Sequence, residues 1–397
     1  MEADRAFSKA LLGLKVRGVP KHTVQYMLGG SVGSVTADFF EQGNAMTRYD
    51  FSKPNLYVFH FSPTATAKAI SVLHDDSRCF AYDEWQMTLL KGLTSSFNIM
   101  NGYVCQGMLQ PGSVVMANLC NPGDLPLSTV FNRTDLKRLC YTLESPNVRH
   151  AAQWDVHFLK NHFDVLLTYW QPLLNNPAVK THPCLHNTHH LDLTNPLDRA
   201  AGLRTNKATS LRSVCMVLEN RNNNGMYKIN GQELHALDHL RSHYVKDLSD
   251  AHVFGVHWDK ASLGAGVTVE HRHRNSDPCS SVDHLQKYSF AIIIENCDAP
   301  GYVSEKMYDA FSAGCVPMYY NTGNNNDLTA IMPNMYIDIS RFKDSAELQD
   351  HLDNLSDEDI QLTRRRIYNQ REQVLSKVSV QSHAATVAEA IKAFDLA

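Results

Sequence analysis

Short apolar runs recur along most of this 397-residue chain. Between them lie more polar stretches in which apolar residues recur every three or four positions, as in a helix. Each short run predicts a strand buried on both faces of a sheet, because parallel strands covered by helices are apolar throughout. The predicted strands are residues 22–28, 55–61, 114–119, 139–143, 164–169, 213–219, 253–256, 288–294, 315–320 and 335–339. Strands that alternate with helices indicate an α/β architecture with parallel sheets.

Apolar residues at helical spacing predict the helices between these strands. The predicted helices are residues 65–73, 151–163, 231–245, 304–313, 346–355, 357–377 and 384–394, and residues 264–273 are predicted to be a loop. The predicted organisation is a first domain at 1–170, a linker at 171–209, a second domain at 210–360 and C-terminal helices at 361–397. The last helix can cross back to the first domain.

Residues 288–320 contain one complete β-α-β unit with an unusual polar loop, residues 295–303. Ser304 is placed to cap the helix that follows the loop, and Gly314 is placed to end it. The start of a helix offers free backbone N–H groups and a partial positive charge, which suit phosphate. Lys306 is unfavourable at that position unless an anion offsets its charge, so it suggests a bound phosphate.

Composition limits the classes of function. A hydrophobic content of 43% is enough for two ordinary cores, and a formal charge of −4 argues against nucleic acid as a partner. The nine cysteines have no repeated close spacing, so we expect free thiols in a reducing compartment. Cys184 and the histidines near it match no standard zinc spacing, which predicts no metal site. No N-terminal apolar segment has membrane length, which predicts no transmembrane segment.

The polar loop and the helix after it resemble a known signature. The α1,3-fucosyltransferase family carries the pattern F-E-N, a short gap, Y-[IV]-[ST]-E-K and then A-V-P. This chain has Glu295-Asn296, Tyr302-Val303-Ser304-Glu305-Lys306 and Cys315-Val316-Pro317 at that spacing. Residues 139–147, LCYTLESPN, resemble the family's first-domain strand and the E-S-P that follows it. The resemblance covers about residues 54–342, and we call residues 295–303 the signature loop.

This resemblance implies a GT-B glycosyltransferase, with two Rossmann-like domains whose parallel sheets face each other across a cleft. The first domain would bind a glycan acceptor and the second a nucleotide sugar. The implied reaction is inverting transfer of L-fucose from GDP-fucose to an acceptor hydroxyl, with no cofactor and no essential metal. The missing membrane segment predicts a cytoplasmic enzyme of bacterial or viral type, unless the chain is a trimmed Golgi protein.

The resemblance also implies roles for single residues. Glu144 is expected to be the general base, and the alternative is that it caps the next helix. Lys306, the Tyr302 hydroxyl and the helix start that begins at Ser304 are expected to stabilise the departing diphosphate. Glu305 is expected to hold the ribose hydroxyls.

Asn296 and Glu295 are expected to contact the sugar or to order the signature loop. The family usually has a diphosphate-binding arginine in the helix after the first donor-domain strand. The aligned position here falls near Gln232 or Glu233, so Arg221 or Lys228 is expected to replace that arginine from a shifted position.

This gap leaves two alternatives open. One is the same fold and mechanism with another nucleotide sugar, and the other is a catalytically silent carbohydrate-binding relative. A nicotinamide-dependent oxidoreductase is disfavoured, because the stretch at Gly264-Ala265-Gly266 lacks the third glycine of the dinucleotide fingerprint.

Overall fold

The computed structural model describes residues 50, 52–59, 90, 92–103, 105–118, 125–142, 155–183, 203–221, 224–272, 281–322, 334–392 and 394. These residues form two six-stranded parallel sheets and one antiparallel hairpin. The predicted α/β architecture with parallel sheets is therefore confirmed. The predicted strand at 22–28 and the predicted helix at 65–73 lie outside the described residues.

The first sheet has the strand order β2-β1-β3-β4-β5-β6. Its strands are β1 (Asn55–Phe59), β2 (Asn98–Asn101), β3 (Val114–Asn118), β4 (Lys137–Thr142), β5 (Val165–Thr168) and β6 (Thr181–Pro183). Strands β2 and β6 were not predicted, because they are short and contain few apolar residues. Both lie at the edges of the sheet, where such strands are common. Strand β6 also lies inside the predicted linker 171–209, so the first sheet extends beyond residue 170.

The second sheet has the strand order β11-β10-β7-β12-β13-β14. Its strands are β7 (Val214–Val217), β10 (Ala251–Gly255), β11 (Val267–His271), β12 (Phe290–Ile293), β13 (Val316–Tyr319) and β14 (Ile337–Asp338). The order reverses between β7 and β12, and in open α/β sheets ligands bind outside the carboxyl ends of the strands at such a reversal. The loop predicted at 264–273 is wrong, because its polar residues belong to the edge strand β11.

The single helix predicted at 231–245 is also wrong. Strands β8 (Met226–Ile229) and β9 (Gln232–His235) form an antiparallel hairpin there, and helix α3 (Leu240–Val245) begins later. The turn residues Asn230 and Gly231 have φ values of 50° and 81°. An Asn-Gly pair favours a two-residue hairpin turn with positive φ at both positions, so the local turn chemistry overrides the apparent helical spacing.

Among the described residues, the remaining helices include five that overlap predicted helices and two short ones, of four and five residues, that were not predicted. They are α1 (Val156–His162), α2 (Gln171–Leu174), α4 (Ser281–Leu285), α5 (Glu305–Ala313), α6 (Ser345–Asn354), α7 (Asp357–Ser376) and α8 (Val380–Lys392). Asp344 and Ser356 cap α6 and α7 by accepting backbone N–H bonds. Among the described residues no helix has the length and apolar character needed to cross a membrane.

Each sheet has its own hydrophobic core, and we call the sheets with their packed elements the first and second units. Three segments that follow the first sheet in the chain nevertheless pack into the first core. They are the hairpin through Ile229 and Leu234, the signature loop through Cys297 and Ala299 with the adjoining Tyr302, and α8 through residues such as Val387. The two units are therefore in contact at the signature loop.

Candidate active site

The signature loop is fastened to the start of α5 by a buried carboxylate. Glu295 is 2% exposed, and its two oxygens accept hydrogen bonds from the Ser304 backbone N–H at 2.7 Å and the Ser304 hydroxyl at 2.6 Å. Burial raises the pKa of Glu295, while the neighbouring Lys306 and the Ser304 hydrogen bonds oppose that rise. Ser304 holds the N-cap position, but its side chain bonds Glu295 rather than the helix backbone.

Lys306 lies among three oxygen-bearing side chains. Its Nζ is 2.9 Å from Ser304 Oγ, 3.3 Å from Glu305 Oε1 and 3.6 Å from Glu295 Oε2. The lysine side chain is 18% exposed, and Glu305 is buried. Two protein carboxylates therefore already offset the charge of Lys306, so its position at the helix start is not by itself a sign of bound phosphate.

Tyr302 is positioned by packing between the two units. It is 2% exposed, and its ring lies 5.1 Å from the Tyr169 ring in the first core. The preceding Gly301 has a φ of 83°, and a Cβ built on it would lie 2.4 Å from the Tyr169 carbonyl oxygen. Only glycine fits this close approach, which means that the end of the signature loop is held against the first unit.

Arg241 is a candidate site residue that the sequence analysis missed. It lies on α3, is 2% exposed and forms an ion pair with the buried Asp238. Its Nη1 donates to the Glu219 carbonyl at 2.6 Å, and its Nη2 donates to Asn296 Oδ1 at 2.9 Å. This one guanidinium therefore connects the segment after β7 to the signature loop after β12.

The prediction that an arginine is missing from this helix is therefore wrong. The helix after β7 begins at Leu240 rather than near residue 231, because the hairpin precedes it, and its second residue is Arg241. Gln232 and Glu233, the positions that align with the family's arginine by sequence, belong to β9. The Asn-Gly turn at 230–231 was the sequence signal that could have revealed the hairpin and thereby the arginine.

Arg221 lies close to this cluster without being buried in it. Its side chain is 49% exposed, and Nε donates to Glu219 Oε2 at 2.9 Å. Burial raises the pKa of Asp238 and lowers that of Arg241, while their mutual attraction opposes both shifts and Arg221 contributes to the field at each. Lys228 is exposed on the hairpin, where its position in β8 lies opposite Glu233 in the strand register.

Buried polar atoms without a protein hydrogen-bond partner concentrate around the same edge of the second sheet. Within the described part of the chain they include Asn220 Oδ1 after β7, His239 Nδ1 and Arg241 Nε at the start of α3, and Thr322 Oγ1 after β13. Leaving one such group unsatisfied costs about 1–3 kcal/mol. This edge is therefore suited to a polar ligand or water that completes those bonds.

Several other candidates named from the sequence lie outside the described residues. Glu144 lies outside the described residues, and so do Cys184 and the histidines at 186, 189 and 190. His271 is exposed on the edge strand β11. Within the described ranges, no group of three or more His, Cys, Asp or Glu side chains is arranged to hold a metal ion.

Comparison with known proteins places this site within a recognised domain. Residues 233–393 match the model of the C-terminal domain of glycosyltransferase family 10, the fucosyltransferases. The C-terminal part of this chain is thus similar to a family 10 glycosyltransferase domain. The resemblance inferred from the signature loop is therefore confirmed, and the matched range contains Arg241, Asn296, Glu305 and Lys306.

A curated fucosyltransferase matches a short stretch of this chain. An alpha-(1,4)-fucosyltransferase of Arabidopsis thaliana is 34% identical over 82 residues, which is 20% of this chain and 20% of the relative. The chain thus matches only about a fifth of that protein's length.

Solved structures show a weaker likeness over a longer stretch. An alpha1,3-fucosyltransferase with GDP has a TM-score of 0.46 and 14% identity, covering 87% of this chain and 93% of that one. The structure of TarM has a TM-score of 0.47 and 9% identity, covering 78% of this chain and 58% of that one.

Proposed function

We propose that this protein is an inverting fucosyltransferase that moves L-fucose from GDP-fucose to a hydroxyl of a glycan acceptor. The observation that carries the proposal is that two cations, Arg241 and Lys306, both contact the signature loop, which follows β12 at the strand reversal. Arg241 reaches the signature loop through Asn296, and Lys306 reaches it through Glu295. Both lie in the range that matches the family 10 domain, and Lys306 is the second residue of α5.

Transfer of a sugar from a nucleotide requires stabilisation of the departing diphosphate. Arg241, Lys306 and the first backbone N–H groups of α5 supply positive charge where that negative charge grows. Donors fixed in this way commonly contribute about 3–4 kcal/mol each to the transition state. Glu305, beside Lys306, holds the ribose hydroxyls, and Asn296 contacts the sugar.

The acceptor hydroxyl must also lose its proton. We assign this to Glu144, which follows the last residue of β4 by two positions in the sequence. One base acting on the face opposite the leaving group inverts the anomeric centre, by the geometric logic of inverting glycosidases. The first unit binds the acceptor in this scheme, and the reaction needs no metal cofactor.

The presence of Arg241 bears on the alternative nucleotide sugar. That alternative depended on a missing diphosphate-binding arginine, and Arg241 removes its support. The other alternative, a catalytically silent carbohydrate-binding relative, is distinguished from a fucosyltransferase by measuring activity.

The donor is tested first by thermal denaturation with GDP, UDP or dTDP at a hundredfold excess over Kd. Binding at that excess stabilises the folded state by about 2.7 kcal/mol, so we expect a higher Tm with GDP only. The reaction is then tested by incubating the protein with GDP-fucose and a glycan acceptor panel, and by measuring GDP release with and without EDTA.

Glu144→Gln is the matched variant, because it keeps the size of the side chain and removes the base. We expect its turnover to fall by about 10²–10⁴-fold while GDP still raises Tm as in the wild-type protein. A Tm that responds to UDP or dTDP but not to GDP refutes the donor. A Glu144→Gln variant with wild-type turnover refutes the assigned base.

A further inference from the structure

The hairpin of β8 and β9 has two different faces. Tyr227, Ile229 and Leu234 face the first core and pack against it. Glu233 and His235 lie on the opposite face of β9 and are exposed. A hairpin held by its apolar face presents its other face in a fixed orientation, so His235 is presented at a defined place.

His235 is further oriented by a carboxylate of the signature loop. Asp298 Oδ1 accepts the His235 backbone N–H at 2.7 Å, and Asp298 Oδ2 lies 3.0 Å from His235 Nδ1. The imidazole is 54% exposed and Asp298 is 19% exposed. Within the described residues, Nε2 of His235 has no protein hydrogen-bond partner.

The pair lies on a short ladder between the hairpin and the signature loop. The Leu237 N–H donates to the Asn296 carbonyl at 3.0 Å, and the Asp298 N–H donates to the His235 carbonyl at 3.1 Å. Between these two bonds, Ala236 and Cys297 form an isolated antiparallel β-bridge. This backbone pairing fixes the loop beside β9. Backbone hydrogen bonds therefore hold Asp298 beside His235.

The order of residues along this ladder indicates where the donor sugar lies relative to the diphosphate. Asn296 is bonded to Arg241, where the diphosphate is assigned, while Cys297 is buried in the first core. Asp298 lies two residues beyond Asn296 on the same loop, beside His235. The sugar attached to the diphosphate must extend from the cations toward the first unit, because the acceptor arrives from that unit.

We propose that His235 is a sugar-binding residue for the donor, a role that rests on the proposed function. Asp298 accepts a hydrogen bond from Nδ1–H, which fixes the tautomer and leaves Nε2 as an acceptor. Nε2 then accepts a hydrogen bond from a hydroxyl of the sugar in the nucleotide sugar. Asp298 is the positioning residue of the pair.

The test compares the affinity for GDP with that for GDP-fucose, measured by calorimetry on the full chain. For His235→Ala we expect GDP-fucose binding to weaken by about three- to tenfold, the effect of one lost hydrogen bond, while GDP affinity changes less than twofold. Glu233→Ala is the matched control, because Glu233 lies two residues away on the same exposed face of β9. It should leave both affinities unchanged.

Two further variants separate contact from positioning. His235→Gln keeps a polar group near the place of Nε2 and should regain part of the lost affinity, whereas Asp298→Ala should weaken only GDP-fucose binding. The effects of His235→Ala and Asp298→Ala should not add in the double variant, because both act through one contact. Equal loss of GDP and GDP-fucose binding in His235→Ala, or no loss of either, refutes the proposal. A wild-type protein that binds neither nucleotide refutes the proposed function instead.

Discussion

Arg138 of the first unit and Arg241 of the second unit are both buried beside an aspartate, yet they use their nitrogens differently. Arg138 pairs with Asp164 through Nε at 3.1 Å and Nη2 at 2.5 Å, and its Nη1 donates to the carbonyls of Phe131 and Asn161. Arg241 pairs with Asp238 and bonds two carbonyls and Asn296, and among the described residues its Nε has no hydrogen-bond partner. Every side-chain nitrogen of Arg138 thus has a partner in the fold, whereas Nε of Arg241 keeps donor capacity.

The position of each arginine in its sheet agrees with this difference. Arg138 lies near the amino end of β4, away from the edge where parallel sheets bind ligands. Arg241 lies where the segments after β7 and β12 meet, beside the reversal of strand order. A buried arginine that is completely satisfied points to structure, and one that is incompletely satisfied at a ligand-binding edge points to function.

Substituting both arginines separates these roles. For Arg241→Lys we expect GDP affinity to fall by about ten- to a hundredfold, because lysine keeps the charge but not the planar donor array. For Arg138→Met we expect the free energy of unfolding to fall by about 2–4 kcal/mol, less than for a wholly buried pair because Asp164 is 35% exposed. Calorimetry with GDP and urea denaturation measure the two effects.

The comparison fails if the two variants behave alike. An Arg241→Lys protein that loses stability but binds GDP as tightly as wild type would make Arg241 a structural residue of the same kind as Arg138. An Arg138→Met protein that stays folded but loses GDP affinity would contradict the structural role of Arg138.

The contact between the units can be tested at a glycine with a matched control. Gly301 and Gly112 both have a φ of 83°, but a Cβ on Gly301 would meet the Tyr169 carbonyl, while none of the described atoms lies within 4 Å of a Cβ on Gly112. For Gly112→Ala we expect a loss of about 1–2 kcal/mol from the left-handed backbone alone. For Gly301→Ala we expect a larger loss together with slower GDP release from GDP-fucose.

Denaturation and the GDP-release assay measure this pair of variants. The difference between them isolates the fit of the signature loop against the first unit. Equal losses of stability with unchanged turnover in both variants would show that this close approach has no bearing on the site.

The sequence predicts those features of the fold and the site that are formed by residues close together in the chain. The unit β12–α5–β13 was predicted because its strands are apolar on both faces and its cap residues, Ser304 and Gly314, adjoin the helix. Arg241 was missed because apolar spacing outweighed a two-residue turn signal. The pairing of His235 with Asp298 joins residues 63 positions apart, and no local pattern encodes such a contact.

The buried carboxylate of Glu295 gives a final and smaller test, through pH. Its pKa is raised by burial, so between the ordinary glutamate value and the raised value the folded protein binds more protons than the unfolded chain. Stability contributed by this group therefore falls as pH rises through that window. Glu295→Gln cannot titrate, so we expect the stability difference between wild type and variant to shift in favour of the variant as pH rises. Urea denaturation across that range measures the shift, and a constant difference would mean that Lys306 and the Ser304 hydrogen bonds fully compensate the burial of the charge.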